Sequence, residues 1–458
     1  MADADSPPRR PAVAVIGGGF SGLMTALHVL ADASGPSVLL LEKCGTFGRG
    51  AAYSAPNPDH RLNVRAGNMS AWPDRPDHFV EWLKKTRSSE EARELFASRG
   101  EYGRYLQEQL AGAIRGGAVG RLTLAPYEAA RVTPEGGGWR VETAVGRVYH
   151  VDAVVLAIGA GSPAPLPGLD EAATSSTRYG ADPWSLRLPS KPLGEAPILI
   201  AGAGLTMVDM VLDLAAKIPD ASFLALSRRG LWPLEHAEAA SPALPPPPDP
   251  GGPAEILLWL KRQAKSVGWR TAVDALRPVT QTLWSSWSLK ERARFLRHAR
   301  PYWDVHRHRL APEVARRLNA LRAEGRLSLL RGRLIKAAPV EDGLDIWWRP
   351  RGDHSLRNLK VGLLVNCTGL SSPLSKGGGL LADLAKQGLV RHDALGLGLD
   401  ADRSGRLIGG AGEITPGLFG IGPSIRGVLW EIIAVPDIRN QAPQVAKAAA
   451  DHAAAAYH

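Results

Sequence analysis

An apolar strand that leads into a glycine-rich turn and then into a helix is the feature that most constrains how this chain can fold. Residues 12–16 (AVAVI) predict a buried strand, residues 17–22 (GGGFSG) the turn, and residues 23–33 (LMTALHVLADA) the helix. Residues 37–42 (SVLLLE) predict the next strand. This order is the βαβ unit of a doubly wound parallel sheet, an architecture that binds dinucleotides.

The same pattern of strand, glycine turn and helix occurs a second time in the chain. Residues 196–217 (APILIAGAGLTMVDMVLDLAAK) repeat the strand, the turn and the helix. Each copy is followed by alternating, hairpin-like segments and then by a buried strand that ends in glycine, at Gly159 and at Gly369. The duplication predicts an α/β fold with two Rossmann-like dinucleotide-binding domains.

The positions of the two copies predict the domain organisation. We expect residues 1–190 and 360–458 to form one discontinuous domain, which binds FAD, and residues 191–359 to form an NAD(P)-binding domain. Within the second domain, the proline-rich residues 241–253 predict a surface linker and residues 254–325 a helical insertion. The tryptophans of the insertion are typical of packing rather than of ligand contact.

Each glycine of the first turn has its own expected role. Gly17 permits the tight turn, Gly19 lets the backbone approach a pyrophosphate, and Gly22 allows the helix to pack closely on the strand. The helix N-terminus offers unpaired N–H groups to the phosphates, and Glu42 can accept hydrogen bonds from ribose hydroxyls. The contacts expected around this dinucleotide come from Gly17, Gly19, Phe20, Ser21, Gly22, Glu42, Lys43 and Gly159.

The second turn departs from this pattern at two places. Met207 stands where a third glycine is expected, and the following strand ends in Ser227, Arg228 and Arg229 instead of an acidic residue. Arginines at that point can pair with a 2′-phosphate, which favours NADPH over NADH; the alternative is two exposed arginines at a strand end. The contacts expected here come from Gly202, Gly204, Leu205, Thr206, Arg228, Arg229 and Gly369. By analogy with other chains that carry two such turns, the N-terminal copy holds FAD and the inserted copy the nicotinamide cofactor.

Composition narrows the remaining chemistry. At 458 residues the chain is long enough for two or three domains, and Cys44 and Cys367 provide neither a disulfide framework, a metal site nor a Cys-x-x-Cys pair. We therefore expect no metal and an electron acceptor that is oxygen or a small molecule. No long apolar stretch and no signal peptide are visible, so we expect a cytoplasmic protein that does not bind membranes.

The formal net charge of +10 favours anionic partners. Much of the excess lies between Lys290 and Arg333, where helical spacing of apolar residues indicates a solvated basic helix face. We expect no nucleic acid partner. His306 and His308 alternate with arginines there, and we interpret them as structural or as contacts to the nicotinamide cofactor.

Six long motifs resemble a bacterial FAD/NAD(P)-binding family that includes a flavin-dependent urate hydroxylase and an aspartate N-monooxygenase. They are residues 48–83, 202–212 (GAGLTMVDMVL), 227–236 (SRRGLWPLEH), 297–312 (RHARPYWDVHRHRLAP), 364–369 (LVNCTG) and 417–442. The resemblance implies a two-domain flavoprotein monooxygenase fold and leaves the catalytic residues unassigned. Near the FAD it implies Arg49, Gly50, Asn63, Asn68, Met69, Gly422, Pro423, Ser424 and Ile425. From the residues alone, the glycine-dense segment 417–426 predicts a turn before an apolar helix that begins near Gly427.

These features predict an FAD-dependent, NAD(P)H-consuming enzyme. We expect reduced flavin and molecular oxygen to give a flavin hydroperoxide that hydroxylates a small anionic substrate. Urate is slightly favoured because the chain is compact and basic; aspartate N-hydroxylation is the alternative, with Arg65 or Arg426 binding a carboxylate. A flavin reductase or oxidase without oxygen insertion, and a non-enzymatic cofactor-binding protein, are further alternatives.

Overall fold

The computed structural model of the chain describes residues 10–54, 57–87, 91–159, 161, 163–238, 244–247, 251–369 and 379–457. Two compact units emerge from the contacts within the chain. Unit 1 consists of residues 1–55, 65–161 and 372–458, and unit 2 of residues 56–64 and 162–371.

The N-terminal part of unit 1 alternates strands and helices. Its elements are β1 (Ala12–Ile16), α1 (Phe20–Leu30), β2 (Ser37–Leu41), α2 (Gly50–Tyr53), α3 (His78–Arg87), α4 (Arg99–Arg115), β3 (Leu122–Ala125), β4 (Ala129–Glu135), β5 (Gly138–Thr143), β6 (Val148–Val151) and β7 (Ala153–Leu156).

Unit 2 contains a second set of strands and a run of helices. Its elements are α5 (Glu171–Thr174), β8 (Tyr179–Gly180), β9 (Ile198–Ala201), α6 (Leu205–Lys217), β10 (Phe223–Ser227), α7 (Pro253–Val267), α8 (Trp269–Ala275), α9 (Thr280–Ser286), α10 (Leu289–His298), α11 (Arg300–Arg307), α12 (Pro312–Ala323), β11 (Leu327–Val340), β12 (Gly343–Pro350), β13 (Arg357–Val361) and β14 (Leu363–Asn366). The chain then returns to unit 1 with α13 (Leu380–Lys386), β15 (Arg406–Ile408), β16 (Ile414–Gly420) and α14 (Val435–Tyr457).

The main sheet of unit 1 has the strand order β15-β16-β7-β1-β2-β3. All its strand pairs are parallel except β15 with β16. Residues 13–15 of β1 and 153–156 of β7 are fully buried, because a parallel sheet covered on both faces needs continuous apolar strands. The strands β4, β5 and β6 form a separate antiparallel sheet.

The sheet of unit 2 has the order β13-β12-β11-β10-β9-β14-β8. Its strands from β11 to β8 pair in parallel, whereas β11, β12 and β13 form an antiparallel meander. The long strand β11 serves both parts: residues 327–331 pair with β10 and residues 332–340 with β12. The expected fold class, α/β with two Rossmann-like domains, is confirmed.

Helices α7 to α12 occupy the segment for which a helical insertion was predicted. Trp284 is fully buried and packs edge-on against Trp287 and Phe295, as expected for tryptophans that form a core. Of the predicted linker, residues 241–253, the structure describes 244–247 and 251–253, and α7 begins at Pro253, a position that suits proline. None of the described helices has the length and apolarity needed to cross a membrane.

The boundaries of the units differ from the expected domain boundaries. Residues 162–190, expected in the first domain, belong to unit 2, where β8 pairs with β14. Residues 56–64 also belong to unit 2. Within them Asp59 pairs with Arg317 (2.5 Å) and Arg61 with Glu313 (3.0 Å), both on α12. Strand pairing and side-chain contacts decide these boundaries, and neither is visible in the spacing of the glycine motifs.

Candidate functional site

The first glycine turn joins β1 to α1, and packing opposes a side chain at three of its four glycines. A Cβ at Gly18 would lie 2.8 Å from Cβ of Glu42. Gly17 has a φ of 105°, in the left-handed region that favours glycine. A Cβ at Gly17 would lie closer than 3.0 Å to the carbonyl oxygen of Ala157, and a Cβ at Gly22 would collide with the carbonyl oxygen of Gly17. These two glycines allow the strand, the turn and the helix to approach one another closely.

Gly19 differs because the protein itself leaves room for a side chain there. Its φ is −72°, and the atom nearest to an added Cβ is the Cα of Gly50, at 3.4 Å. Gly19 is the N-cap of α1, a helix with neither a side-chain cap nor an acidic residue in its first turn, where Phe20 and Ser21 are buried. The N–H groups of this terminus are therefore available to an anionic ligand such as a pyrophosphate.

Glu42 follows β2 and reaches the first turn. Its Oε2 accepts a hydrogen bond from the N–H of Gly18 (2.8 Å), and its Oε1 accepts one from the N–H of Cys44 (3.2 Å). A carboxylate has about four acceptor positions, so Glu42 retains capacity for ribose hydroxyls. Lys43, its neighbour, is exposed.

The second turn repeats this division of roles. Gly202 has a φ of 113°, and a Cβ there would collide with the carbonyl oxygen of Cys367. No atom of the described residues lies within 4 Å of an added Cβ at Gly204, which is the N-cap of α6 and again leaves the helix without a side-chain cap or an acidic first turn. Leu205 and Thr206 open α6, and Met207 is fully buried. The N-terminus of α6 in unit 2, like that of α1 in unit 1, therefore has N–H groups that are available to an anionic ligand.

The two closing glycines occupy equivalent places. Gly159 follows β7, which pairs with β1, and Gly369 follows β14, which pairs with β9. Both have positive φ, 72° and 96°, and an added Cβ at either would meet no atom of the described residues within 4 Å. Each lies after the carboxyl end of the strand next to its glycine turn, the edge of a parallel sheet where ligands bind.

The two arginines after β10 have different surroundings. Arg229 donates from Nη2 to the carbonyl oxygen of Arg297 (2.7 Å) and from Nη1 to that of His298 (3.3 Å), so it caps the C-terminus of α10. Its guanidinium also lies over the ring of Tyr302. Arg228 is exposed, and no hydrogen bond or ion pair fixes its side chain within the described residues.

The segment from Arg49 to Met69 is divided between the units. Arg49 donates from Nε to Oε1 of Gln107 (3.0 Å), and Gly50, with a φ of 56°, lies against Gly19 in unit 1. Asn63 belongs to unit 2, where its carbonyl oxygen lies 3.0 Å from Nε2 of His236.

Asn68 and Met69 belong to unit 1, and Asn68 contacts α14. Arg439 donates from Nη1 to the carbonyl oxygens of Asn68 (3.3 Å) and Ser70 (3.1 Å), and Met69 is buried. The structure therefore brings Arg49, Gly50, Asn68 and Met69 into the unit of the first turn and assigns Asn63 to the other unit.

The C-terminal segment 422–425 packs on the start of α1. Gly422 has a φ of 68°, and a Cβ there would lie 2.6 Å from Oγ of Ser21. Pro423 follows in a short 3-10 helix in which Ser424 and Ile425 are fully buried. These residues, expected beside the flavin, therefore meet the N-terminus of α1.

The helix expected to begin near Gly427 begins instead at Val435. Glu431 has a φ of 68°, which a right-handed helix cannot contain, so the chain turns before α14 starts.

Sequence reasoning missed Gln441 on α14. Its Oε1 accepts a hydrogen bond from the N–H of Gly422 (3.0 Å), while its Nε2 is buried and has no hydrogen-bond partner among the described residues. A buried amide donor without a protein partner is costly, so Nε2 is available to an acceptor atom of a water or a ligand. The signal was available, because Gln441 stands one helical turn before Val445 and two before Ala449 on the buried face.

Other expected residues already have protein partners. Arg65 pairs with Glu94 (3.1 Å), and Arg426 donates to the carbonyl oxygen of Leu397 (3.0 Å), so both proposed carboxylate-binding arginines hold loops of unit 1. His306 contacts the carbonyl oxygen of Tyr302 (2.7 Å), which supports its interpretation as structural.

The thiols and carboxylates offer no further redox or metal centre among the described residues. Cys44 is exposed and Cys367 buried; burial, with the carboxylates of Asp209 and Asp182, raises the pKa of the Cys367 thiol far above its ordinary value. In the part of the chain that the structure describes, no group of three or more His, Cys, Asp or Glu side chains could hold a metal ion.

The fold and the two open turns define the class of this protein: it is built from two Rossmann-like dinucleotide-binding domains. More particularly, residues 14–161 match the model of a family described as FAD-NAD(P)-binding. This match confirms the expectation of a domain of that class at the first turn. No curated protein matches the sequence.

Solved structures that resemble the fold over most of this chain include three flavin-dependent or amine-hydroxylating enzymes. The ornithine hydroxylase of Pseudomonas aeruginosa gives a TM-score of 0.66 at 16% identity, over 97% of this chain and 99% of that one. The FAD-bound cadaverine monooxygenase of Erwinia amylovora gives 0.67 at 13% identity, over 97% and 95%. The ornithine N-hydroxylase of Kutzneria sp. 744, with reduced FAD, NADP+ and L-ornithine, gives 0.64 at 16%, over 96% and 98%. At these identities the similarity establishes the fold.

Because packing excludes a side chain at Gly22 but not at Gly19, replacement by alanine should lower the free energy of unfolding by different amounts at the two positions. Gly22→Ala should lower the free energy of unfolding by about 2 kcal/mol or more, because the new methyl group forces α1 away from the turn. Gly19→Ala should cost less than about 1 kcal/mol, the usual loss at an N-cap. Denaturant unfolding of the cofactor-free protein measures both, and equal losses would contradict the assignment.

Proposed function

We propose that the protein is an FAD-dependent, NADPH-consuming monooxygenase, with FAD at the first turn and NADPH at the second. The observation that carries this proposal is the pair of uncapped helix termini, each with one glycine that packing does not require, Gly19 and Gly204. Two pyrophosphates account for both glycines. The similarity to FAD-bound and NADP+-bound monooxygenases supports the proposal.

When bound, FAD supplies two-electron chemistry between NADPH and oxygen. The chain's own residues hold and orient the cofactor. The N-terminus of α1 would hold the pyrophosphate, Glu42 would accept from a ribose hydroxyl, and Nε2–H of Gln441 would donate to an acceptor atom of the cofactor. Gln441 can serve in this way because its other amide atom is fixed by Gly422, which packs on Ser21.

We propose nitrogen hydroxylation of a small amine as the reaction. The three similar structures are named for ornithine and cadaverine, and the motif resemblance includes an aspartate N-monooxygenase. The reaction balances as amine, O2, NADPH and a proton giving hydroxylamine, NADP+ and water. Urate hydroxylation, favoured slightly by composition, has less support, because none of these three structures is named for a purine enzyme. Disulfide reduction by a cysteine pair is disfavoured, because the two cysteines, Cys44 and Cys367, form no Cys-x-x-Cys pair and Cys367 is buried.

A matched pair of substitutions tests the assignment of cofactors to turns. Gly19→Ala should yield protein that is purified without FAD, since the methyl group takes the place of the pyrophosphate. Gly204→Ala should retain FAD but lose reduction by NADPH. Absorbance spectra and anaerobic NADPH titration measure both. Stoichiometric flavin in Gly19→Ala would contradict the assignment of FAD to the first turn.

Replacement of Gln441 tests its contact to the cofactor. Gln441→Leu should weaken FAD binding about tenfold, the typical worth of one buried hydrogen bond. Flavin fluorescence titration of the cofactor-free protein measures the Kd. Asn440→Leu is the control, because Asn440 is the adjacent amide on the exposed face of α14. Equal Kd values for the two variants would show that Gln441 only supports Gly422.

A substrate screen tests the reaction itself. NADPH consumption and hydrogen peroxide release should be measured with ornithine, lysine, cadaverine, aspartate and urate. We expect one amine to accelerate NADPH consumption while peroxide release falls below it, and mass spectrometry to detect the hydroxylamine. If peroxide equals NADPH consumed with every compound, the protein is an oxidase; coupling with urate alone would overturn nitrogen hydroxylation.

A further inference from the structure

The surface after β10 contains a second free guanidinium that sequence reasoning did not single out. Strands β10 and β11 pair in parallel from Phe223 with Leu327 to Ser227 with Arg331. Beyond Arg331, β11 leaves β10 and pairs with β12. Arg331 therefore stands level with the last residue of β10, at the carboxyl edge of the parallel sheet where dinucleotides bind.

Gly230 shows where the Arg331 side chain runs. Gly230 has a φ of 62°, and a Cβ there would lie 2.9 Å from Cβ, 3.1 Å from Cγ and 3.4 Å from Cδ of Arg331. The aliphatic stem of Arg331 thus passes beside Gly230, two residues after Arg228. Since neighbouring strands lie about 4.8 Å apart, both long side chains can reach the same ligand.

Arg228 and Arg331 are both available, whereas Arg229 is not. Arg228 and Arg331 are exposed, and in the described ranges neither side chain has a hydrogen bond or an ion pair. Arg229 is committed to the carbonyl oxygens of Arg297 and His298 at the end of α10. Two unpaired guanidinium groups that can reach one ligand favour a dianion, which each can bind in bidentate fashion.

We propose that Arg331 and Arg228 together bind the 2′-phosphate of NADPH, and that Arg229 is a structural residue. This inference rests on the proposed function, because it requires a nicotinamide dinucleotide at Gly204. The sequence predicted the consecutive residues Arg228 and Arg229 at this phosphate. The proposed pair instead combines Arg228, which directly follows β10, with Arg331, which pairs with the last residue of β10.

Nucleotide fragments test the inference without turnover. The Kd values of 2′,5′-ADP and of 5′-AMP, which lacks the 2′-phosphate, should be measured by calorimetry on the flavin-loaded protein. Arg331→Ala and Arg228→Ala should each raise the Kd of 2′,5′-ADP about tenfold or more, the worth of a charged hydrogen bond, and leave that of 5′-AMP unchanged. Arg262→Ala, which removes an exposed arginine from α7, is the control and should change neither Kd.

The possible results separate this inference from the proposed function. If Arg331→Ala binds 2′,5′-ADP like the wild type, or loses both nucleotides equally, Arg331 does not bind the 2′-phosphate. A selective loss in Arg229→Ala would overturn its structural assignment. If the wild type binds the two nucleotides equally, the dinucleotide site stands and the inference fails. If it binds neither, the proposed function fails and the inference with it.

Discussion

The close approach of two backbone segments at each glycine turn is the constraint on which both units depend. Gly17 lies against the carbonyl oxygen of Ala157, and Gly202 lies against that of Cys367; Ala157 and Cys367 each follow the strand next to the turn. A Cβ at either glycine would push this neighbouring strand away. The helix that follows would then lose its place at the carboxyl edge of the sheet. The helix N-termini that we propose to bind phosphates depend on this contact in both units.

The two copies of this arrangement differ mainly in the charge at the end of the next strand. Unit 1 places the carboxylate of Glu42 against the first turn, where it can accept from ribose hydroxyls. Unit 2 has Arg228 and Arg331 at the corresponding edge, and its strand β10 ends in Ser227, followed by Arg228 and Arg229, where unit 1 has Glu42. Opposite charges on similar scaffolds suit different dinucleotides, one with a free ribose hydroxyl and one with a phosphate on it.

Local pattern anticipated much of this structure. The apolar strands, the glycine turns and the apolar helices after them are encoded within short stretches, because parallel strands buried on both faces must be continuously apolar. These local patterns predicted the α/β class, the duplication and the helical segment 254–325. The start of the last helix did not, since Glu431 adopts a left-handed conformation that no propensity rule assigns to glutamate.

The sequence by itself determined the two dinucleotide-binding frameworks and the glycines that shape them, because steric limits at a turn act on residues close together in the chain. Tertiary structure alone decided which residues share a unit and which polar groups remain free. It assigned Asn63 to unit 2, turned Arg229 to the end of α10, and left Nε2 of Gln441 without a hydrogen-bond partner in the part of the chain that the structure describes. Such outcomes depend on contacts between distant segments, and residue spacing does not encode those contacts.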